Sequence, residues 1–255
     1  MKRKNKKSLN IKPVALLAVA AVLLIGSTVG STQAALTYYS DNYSAEVTVS
    51  NIGVTLLENG TEISRRNYIG KSENQLWDET TGTLMNNLLA EDEVFKIGKA
   101  YTEEISVKNS GAVDSYVRVV LRKSWQDENG NKNTGLSPEL IQLQTVTGNG
   151  WVEDTNASTD ERIVLYYTNV LKAGETSPIC TDTISIDSAI GTKVTETREE
   201  VDGGTKITYT YAYNGYTFNV EAEVDAVQTH NAKDAIKSAW GVDVAIAADG
   251  TLSLK

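Results

Sequence analysis

His230 and Cys180 are the single histidine and single cysteine of this 255-residue chain, so any nucleophile–base chemistry of the usual kind must pass through them. Nucleophilic catalysis needs a thiol or hydroxyl within hydrogen-bond reach of a base. A thiol is reactive only where its surroundings lower its pKa. Nothing marks Cys180 as activated. It lies in Pro178-Ile-Cys-Thr181 and reads as a small buried residue. His230 stands just before a helix-periodic stretch and reads as a helix-terminus residue. One histidine excludes HExxH and histidine-rich zinc sites. One cysteine excludes an internal disulfide and leaves only an intermolecular one.

Oxygen ligands are more abundant. Carboxylate and amide oxygens at Asp127, Asn129 and Asn131 alternate around Gly130, a pattern that can converge on calcium. The run lacks the Gly-x5-Glu continuation of a helical calcium loop and falls between strands, so it reads as a surface turn. Glu91-Asp-Glu93, Glu153-Asp154 and the Glu221/Glu223/Asp225 series read as solvated acids. Asn42, Asn59 and Asn156 head short glycosylation sequons of little weight. No catalytic residue, metal site or cofactor is expected, and the chain does not read as an enzyme.

The elements that would carry such residues are strands. Val47 and Val49 alternate with polar residues, as do Ile52, Val54 and Leu56. The phase slips near Asn51-Ile52, which predicts a bulge beside Gly53. Ile105/Val107 and Val117/Val119/Leu121 form further one-faced strands. The near-continuous apolar run 162–171 predicts a central strand covered on both faces. Segments 192–201 and 205–213 flank Asp202-Gly-Gly204 and predict a hairpin, with Ile207, Tyr209, Tyr211 and Tyr213 along one face. Tyr216 to Ala226 alternates strictly, with Glu221, Glu223 and Asp225 opposite. Two stretches read as helix. One is a short helix near Leu84–Leu89, in the mixed polar segment Ser72–Leu89. The other is 231–241, where Ala232, Ala235, Ile236, Ala239 and Trp240 share a stripe between an Asn231 N-cap and Gly241. Many short strands with Gly-rich turns predict an all-β fold, a jelly-roll-like β-sandwich with a few short helices.

The first residues set the context. A lysine-rich head precedes the apolar block Val14–Ile25 and small residues up to Ala34. The block is shorter than the roughly 20 residues that span a bilayer, so residues 1–34 read as a secretory signal peptide cut between Ala34 and Ala35. That leader holds six of the 24 basic residues and none of the 33 acidic ones. The mature chain, 35–255, therefore carries a net charge of about −15. Such a charge disfavours nucleic acid and anionic lipid as partners. Residues 35–255 read as one domain, with no membrane insertion after cleavage.

Several blocks in order resemble one known family. Leu24-Ile-Gly-Ser-Thr-Val-Gly-Ser-Thr-Gln-Ala-Ala-Leu-Thr-Tyr-Tyr-Ser-Asp41 is similar to its processing junction. Phe95-Lys-Ile-Gly-Lys99, Glu104-Ile-Ser-Val-Lys-Asn-Ser-Gly111 and Asp114-Ser-Tyr-Val-Arg-Val119 resemble its paired-strand block. Tyr166-Tyr-Thr-Asn-Val-Leu-Lys-Ala-Gly-Glu-Thr176 resembles its Tyr-Tyr, Leu-Lys-x-Gly-Glu-Thr block, and Ala222-Glu-Val-Asp-Ala-Val-Gln-Thr-His-Asn-Ala232 with Ala239-Trp240-Gly241 is similar to its Ala-Val-Gln and Trp-Gly ending. The family is the TasA/camelysin group of bacterial exported proteins, processed by a SipW-type signal peptidase. Ile179-Cys180 departs from its usual Leu-Phe, and the hairpin of 192–213 looks like a decoration. The resemblance implies a secreted subunit of extracellular biofilm-matrix fibres, a head-to-tail homopolymer that also meets other matrix or cell-wall components. Its alternatives are a monomeric cell-surface adhesin or accessory protein of the same fold and, last, a camelysin-like surface protease, for which no metal triad is present. The mature N-terminus carries Leu36, Tyr38 and Tyr39. Residues 35–44 are thus expected to add as a strand to the sheet edge of a neighbouring copy, a heterologous contact that propagates a filament.

Overall fold

The computed structural model describes residues 51–255 apart from 73, 74, 86, 87, 92, 202 and 203. The leader, the Ala34/Ala35 junction, Leu36, Tyr38, Tyr39 and the Val47/Val49 alternation lie outside the described residues. The all-β expectation holds: 49% of the structure is strand and 9% helical.

Two antiparallel layers enclose the main core. In the first, β1 (Gly53–Glu58) pairs with β2 (Thr61–Ser72), and β2 with β3 (Gln75–Thr80). β4 (Tyr101–Thr102) and β5 (Ile105–Asn109) are two pieces of one kinked run, and β5 pairs with β1. In the second layer, β6 (Ser115–Gln126) is flanked by the short β7 (Lys132–Asn133) near its end. β8 (Ile141–Thr145) belongs with β4 to a separate three-stranded sheet, and β9 (Trp151–Glu153) and β10 (Arg162–Tyr167) to the second layer. β11 (Thr181–Ile186) returns beside β4 and β8. Its lead-in continues along β5 through the Ser177 and Cys180 amides, which donate to Val107 and Ile105 carbonyls at 2.8 and 2.7 Å. β12 (Val194–Val201) and β13 (Gly204–Tyr211) make a separate hairpin. β14 (Thr217–Gln228) pairs with β6 along its whole length. The order of the second layer is β14-β6-β10-β9.

Period-2 patterning explains the packing. Val117, Val119 and Leu121 of β6 face β1, β5 and β11 and are essentially fully buried, as are Ile105, Val107, Leu165 and Ile184. Each such side chain contributes about 2 kcal/mol by leaving water. The other face of β6 and β10 is covered as well. Helix α1 (Ala232–Trp240) and the hairpin of β15 (Val244–Ile246) and β16 (Leu252–Leu254) close over Tyr116, Val120, Val164 and Tyr166. The run 162–171 is thus a central strand covered on both sides. It ends at Tyr167, and Leu171 bridges back to Ser115 instead.

Four details differ from expectation. β1 carries a register shift at Leu56/Leu57 that the alternation does not signal; the slip expected at Asn51-Ile52 is reckoned from Val47 and Val49, which lie outside the described residues. Gly53 is there because the chain passes close to Gly111: a Cβ on Gly53 would meet the Gly111 nitrogen at 2.8 Å. The described part of Leu84–Leu89 is turn and bend, not helix. Met85 adopts a φ of 64°, and its amide is taken by the Glu58 carboxylate at 2.5 Å, which fixes it outside helical geometry. Asn231 precedes α1 in a left-handed conformation (φ 52°) and makes no side-chain cap bond. The buried stripe of α1 is narrower than predicted, centred on Ala232 and Ile236, with Ala239 exposed. Gly241 does end the helix at φ 74°, its amide donating to Lys237 O.

Candidate assembly edge and polar groove

The residues with chemical potential are not brought together. Cys180 is fully buried in the main core, and burial pushes its thiol up to about 12, so it stays protonated. His230 is exposed in the turn before α1. A Cys–His pair is not formed. Asp127 spends its carboxylate on its own loop: it accepts from the amides of Asn129 and Asn131 at 2.9 and 2.8 Å and from Asn131 Nδ2 at 3.2 Å. Those bonds hold its pKa below the usual range. The segment is a turn held by its own side chain. Among the described residues no group of three or more His, Cys, Asp or Glu side chains is placed to hold a metal.

β14 lies at the end of the second layer. Its inner face, Phe218, Val220, Ala222, Val224 and Ala226, lies opposite Trp125, Lys123, Leu121, Val119 and Val117 of β6. Of these five, only Val220 is fully buried; the others are half-buried. On the outer face Asp225 and Glu223 bind Arg118 and Arg122 of β6, at 2.5 and 2.9 Å. Those pairs fasten β14 to β6. Its second edge, twelve residues long, pairs with no strand among the described residues. An edge of that length with a partly covered apolar face is a template for another strand. Val224 also lines a cleft of about 310 Å³ against Val54, Leu56 and the β2–β3 side of the first layer.

A larger groove of about 1020 Å³ lies on the outer side of β6 and β10. The turn of Asp154–Ala157 forms one wall, and Trp240, Val242 and β16 form the other. Tyr166 packs on Trp240 with ring centroids 5.5 Å apart, and the Arg118 guanidinium lies 5.4 Å from the same indole. Sequence reasoning had these residues as strand and helix positions without joining them. The signal was there in the outward alternation of Arg118, Val120 and Arg122.

Two buried carboxylates also escaped sequence reading. Glu103 is fully buried, and neither of its oxygens meets a donor; Glu58 is 4% exposed and within hydrogen-bonding reach. Burial, then the neighbouring Glu58, raise the Glu103 pKa, so the pair is suited to share one proton. The hairpin β12–β13 carries exposed Val194, Ile207, Tyr209 and Tyr211 on one face, as the alternation predicted.

Comparisons of the chain with protein-family models, with curated proteins and with solved structures returned no match.

Proposed function

We propose that the mature chain is an exported structural subunit, a jelly-roll-like sandwich that assembles head to tail into extracellular fibres. The observation that carries the reading is the long edge of β14, unpaired among the described residues, with its half-covered inner face. Residues 35–44 of a second copy, with Leu36, Tyr38 and Tyr39, supply the complementary apolar strand. Main-chain hydrogen bonds would give affinity, and alternate side chains over the inner face would give register. The resemblance to the TasA/camelysin group agrees with this role, as does the leader. The lone buried cysteine and exposed lone histidine support a non-enzymatic role.

The test is electron microscopy of purified 35–255 at rising concentration. Fibres that lengthen with concentration support the proposal. A monodisperse monomer at hundreds of micromolar, by light scattering, would refute it.

A further inference from the structure

We propose that the β12–β13 hairpin is a self-association surface, its aromatic face docking on the same face of a second copy about a twofold axis. This contact is independent of strand donation: a twofold contact closes at two copies, whereas donation propagates.

The hairpin is a two-stranded sheet of its own. Such a sheet is marginally stable in water unless something packs on it. Val194, Ile207, Tyr209 and Tyr211 are between 40% and 55% exposed. Register puts them on one face, with Val194 opposite Tyr211, Glu196 opposite Tyr209 and Arg198 opposite Ile207. The reverse face carries Thr195, Thr197, Thr208 and Thr210, whose hydroxyls water can satisfy. An exposed apolar patch rimmed by charge marks a protein contact. Tyrosine suits one, because its ring brings area while its hydroxyl stays wet.

The charge pattern says which protein. On β13 the face is a column of Ile207, Tyr209 and Tyr211; on β12 it holds Glu196 and Arg198, paired with each other at 2.5 Å. In a face-to-face pair the twofold axis runs across the strands, between the Glu196/Tyr209 and Arg198/Ile207 rows. The two β13 columns then stack, with Tyr209 over the partner's Ile207. Glu196 meets the partner's Arg198, and Arg198 meets the partner's Glu196, so the four charges alternate in sign. An axis along the strands would set the rings on Glu196 and Arg198 instead. The face is therefore complementary to itself in one arrangement.

Net charge agrees. Segment 193–211 has three basic residues (Lys193, Arg198, Lys206) and four acidic ones (Glu196, Glu199, Glu200, Asp202), a net charge of −1, against about −15 for residues 35–255. Two strongly acidic copies repel each other least through this element. Two eight-residue strands make a face of roughly 26 Å by 10 Å. That is below the roughly 800 Å² per partner of a stable interface, so the contact is weak and reversible.

The experiment is sedimentation equilibrium of 35–255 up to about 300 μM, which should show a reversible dimer. Tyr209→Ser and Arg198→Glu should each weaken it about tenfold or more, with unchanged circular dichroism. The exchanged double variant Glu196→Arg/Arg198→Glu should recover wild-type affinity to within about threefold. Where fibres form first, electron microscopy reads the same contact as fibres lying side by side, which Arg198→Glu separates without shortening them. Fibre length thus reports strand donation, and lateral pairing reports the hairpin. A protein neither dimeric at that concentration nor laterally paired in fibres would overturn the proposal. So would association unchanged by Tyr209→Ser, or a double variant no better than Arg198→Glu alone.

Discussion

Asn109 Nδ2 donates to the carbonyl of Leu171 at 2.9 Å, across 62 residues of sequence, while also donating to Val113 O at 2.8 Å. Its Oδ1 accepts from the Gly111 amide at 3.0 Å, its own amide donates to Glu175 O at 2.9 Å, and the Gly174 amide donates to its carbonyl at 2.8 Å. Asn109 is fully buried. One side chain therefore joins the Lys-Asn-Ser-Gly turn to the Leu-Lys-Ala-Gly-Glu turn. A carboxamide supplies both donors and acceptor, which neither Asp nor Leu can do.

Asn109→Ala should cost about 2–4 kcal/mol, from several lost buried hydrogen bonds and a small void. Urea denaturation measures it. A loss below about 0.5 kcal/mol would show that the two turns hold their places without the side chain.

Glu103 makes stability depend on pH in an unusual direction. Burial and Glu58 raise its pKa in the folded state to about 8. In the unfolded chain it titrates near 4.3. The folded form therefore binds the proton more tightly. Its favourable contribution is complete below about pH 4 and is lost as pH rises towards 8. Glu103→Gln keeps the shape without the charge. It should raise stability at pH 7.5 by a few kcal/mol and flatten the profile between pH 5 and 8, as read by denaturation at several pH values. An unchanged profile would show that Glu103 titrates as an ordinary carboxylate.

Trp240 joins α1 to the outer face of β10 through Tyr166, and it is only half-buried. Trp240→Ala should cost about 2 kcal/mol and lower the melting temperature by several degrees. A shift of a degree or less would show that Ile236, buried beneath the helix, docks it alone.

Where periodicity was strict, the sequence was sufficient. The alternations in β5, β6 and β14 and the acid series of β14 appear in the structure with the predicted faces, because one residue of slip would expose a whole row of side chains. The loop of Asp127–Asn131 was legible because its side chain can satisfy its own backbone. The region around Met85 was not, because its conformation is set by Glu58, 27 residues earlier. The Glu58–Glu103 pair was hidden for the same reason: each reads as a surface acid until β1 and the β4–β5 run are side by side. The groove escaped because Arg122 and Arg162 become neighbours only through strand register. The expected donor strand, with Leu36, Tyr38 and Tyr39, falls outside the described residues, so the β14 edge supports the assembly reading from the acceptor side alone.

The most direct measurement compares fibre formation by 35–255 and 45–255 at equal concentration, using electron microscopy with circular dichroism on both. The account predicts that the shorter protein keeps its β spectrum and cooperative melting but forms no fibres. Fibres of equal length and number from 45–255 would contradict strand donation by residues 35–44, and loss of the β spectrum would show that this segment completes its own subunit's sheet.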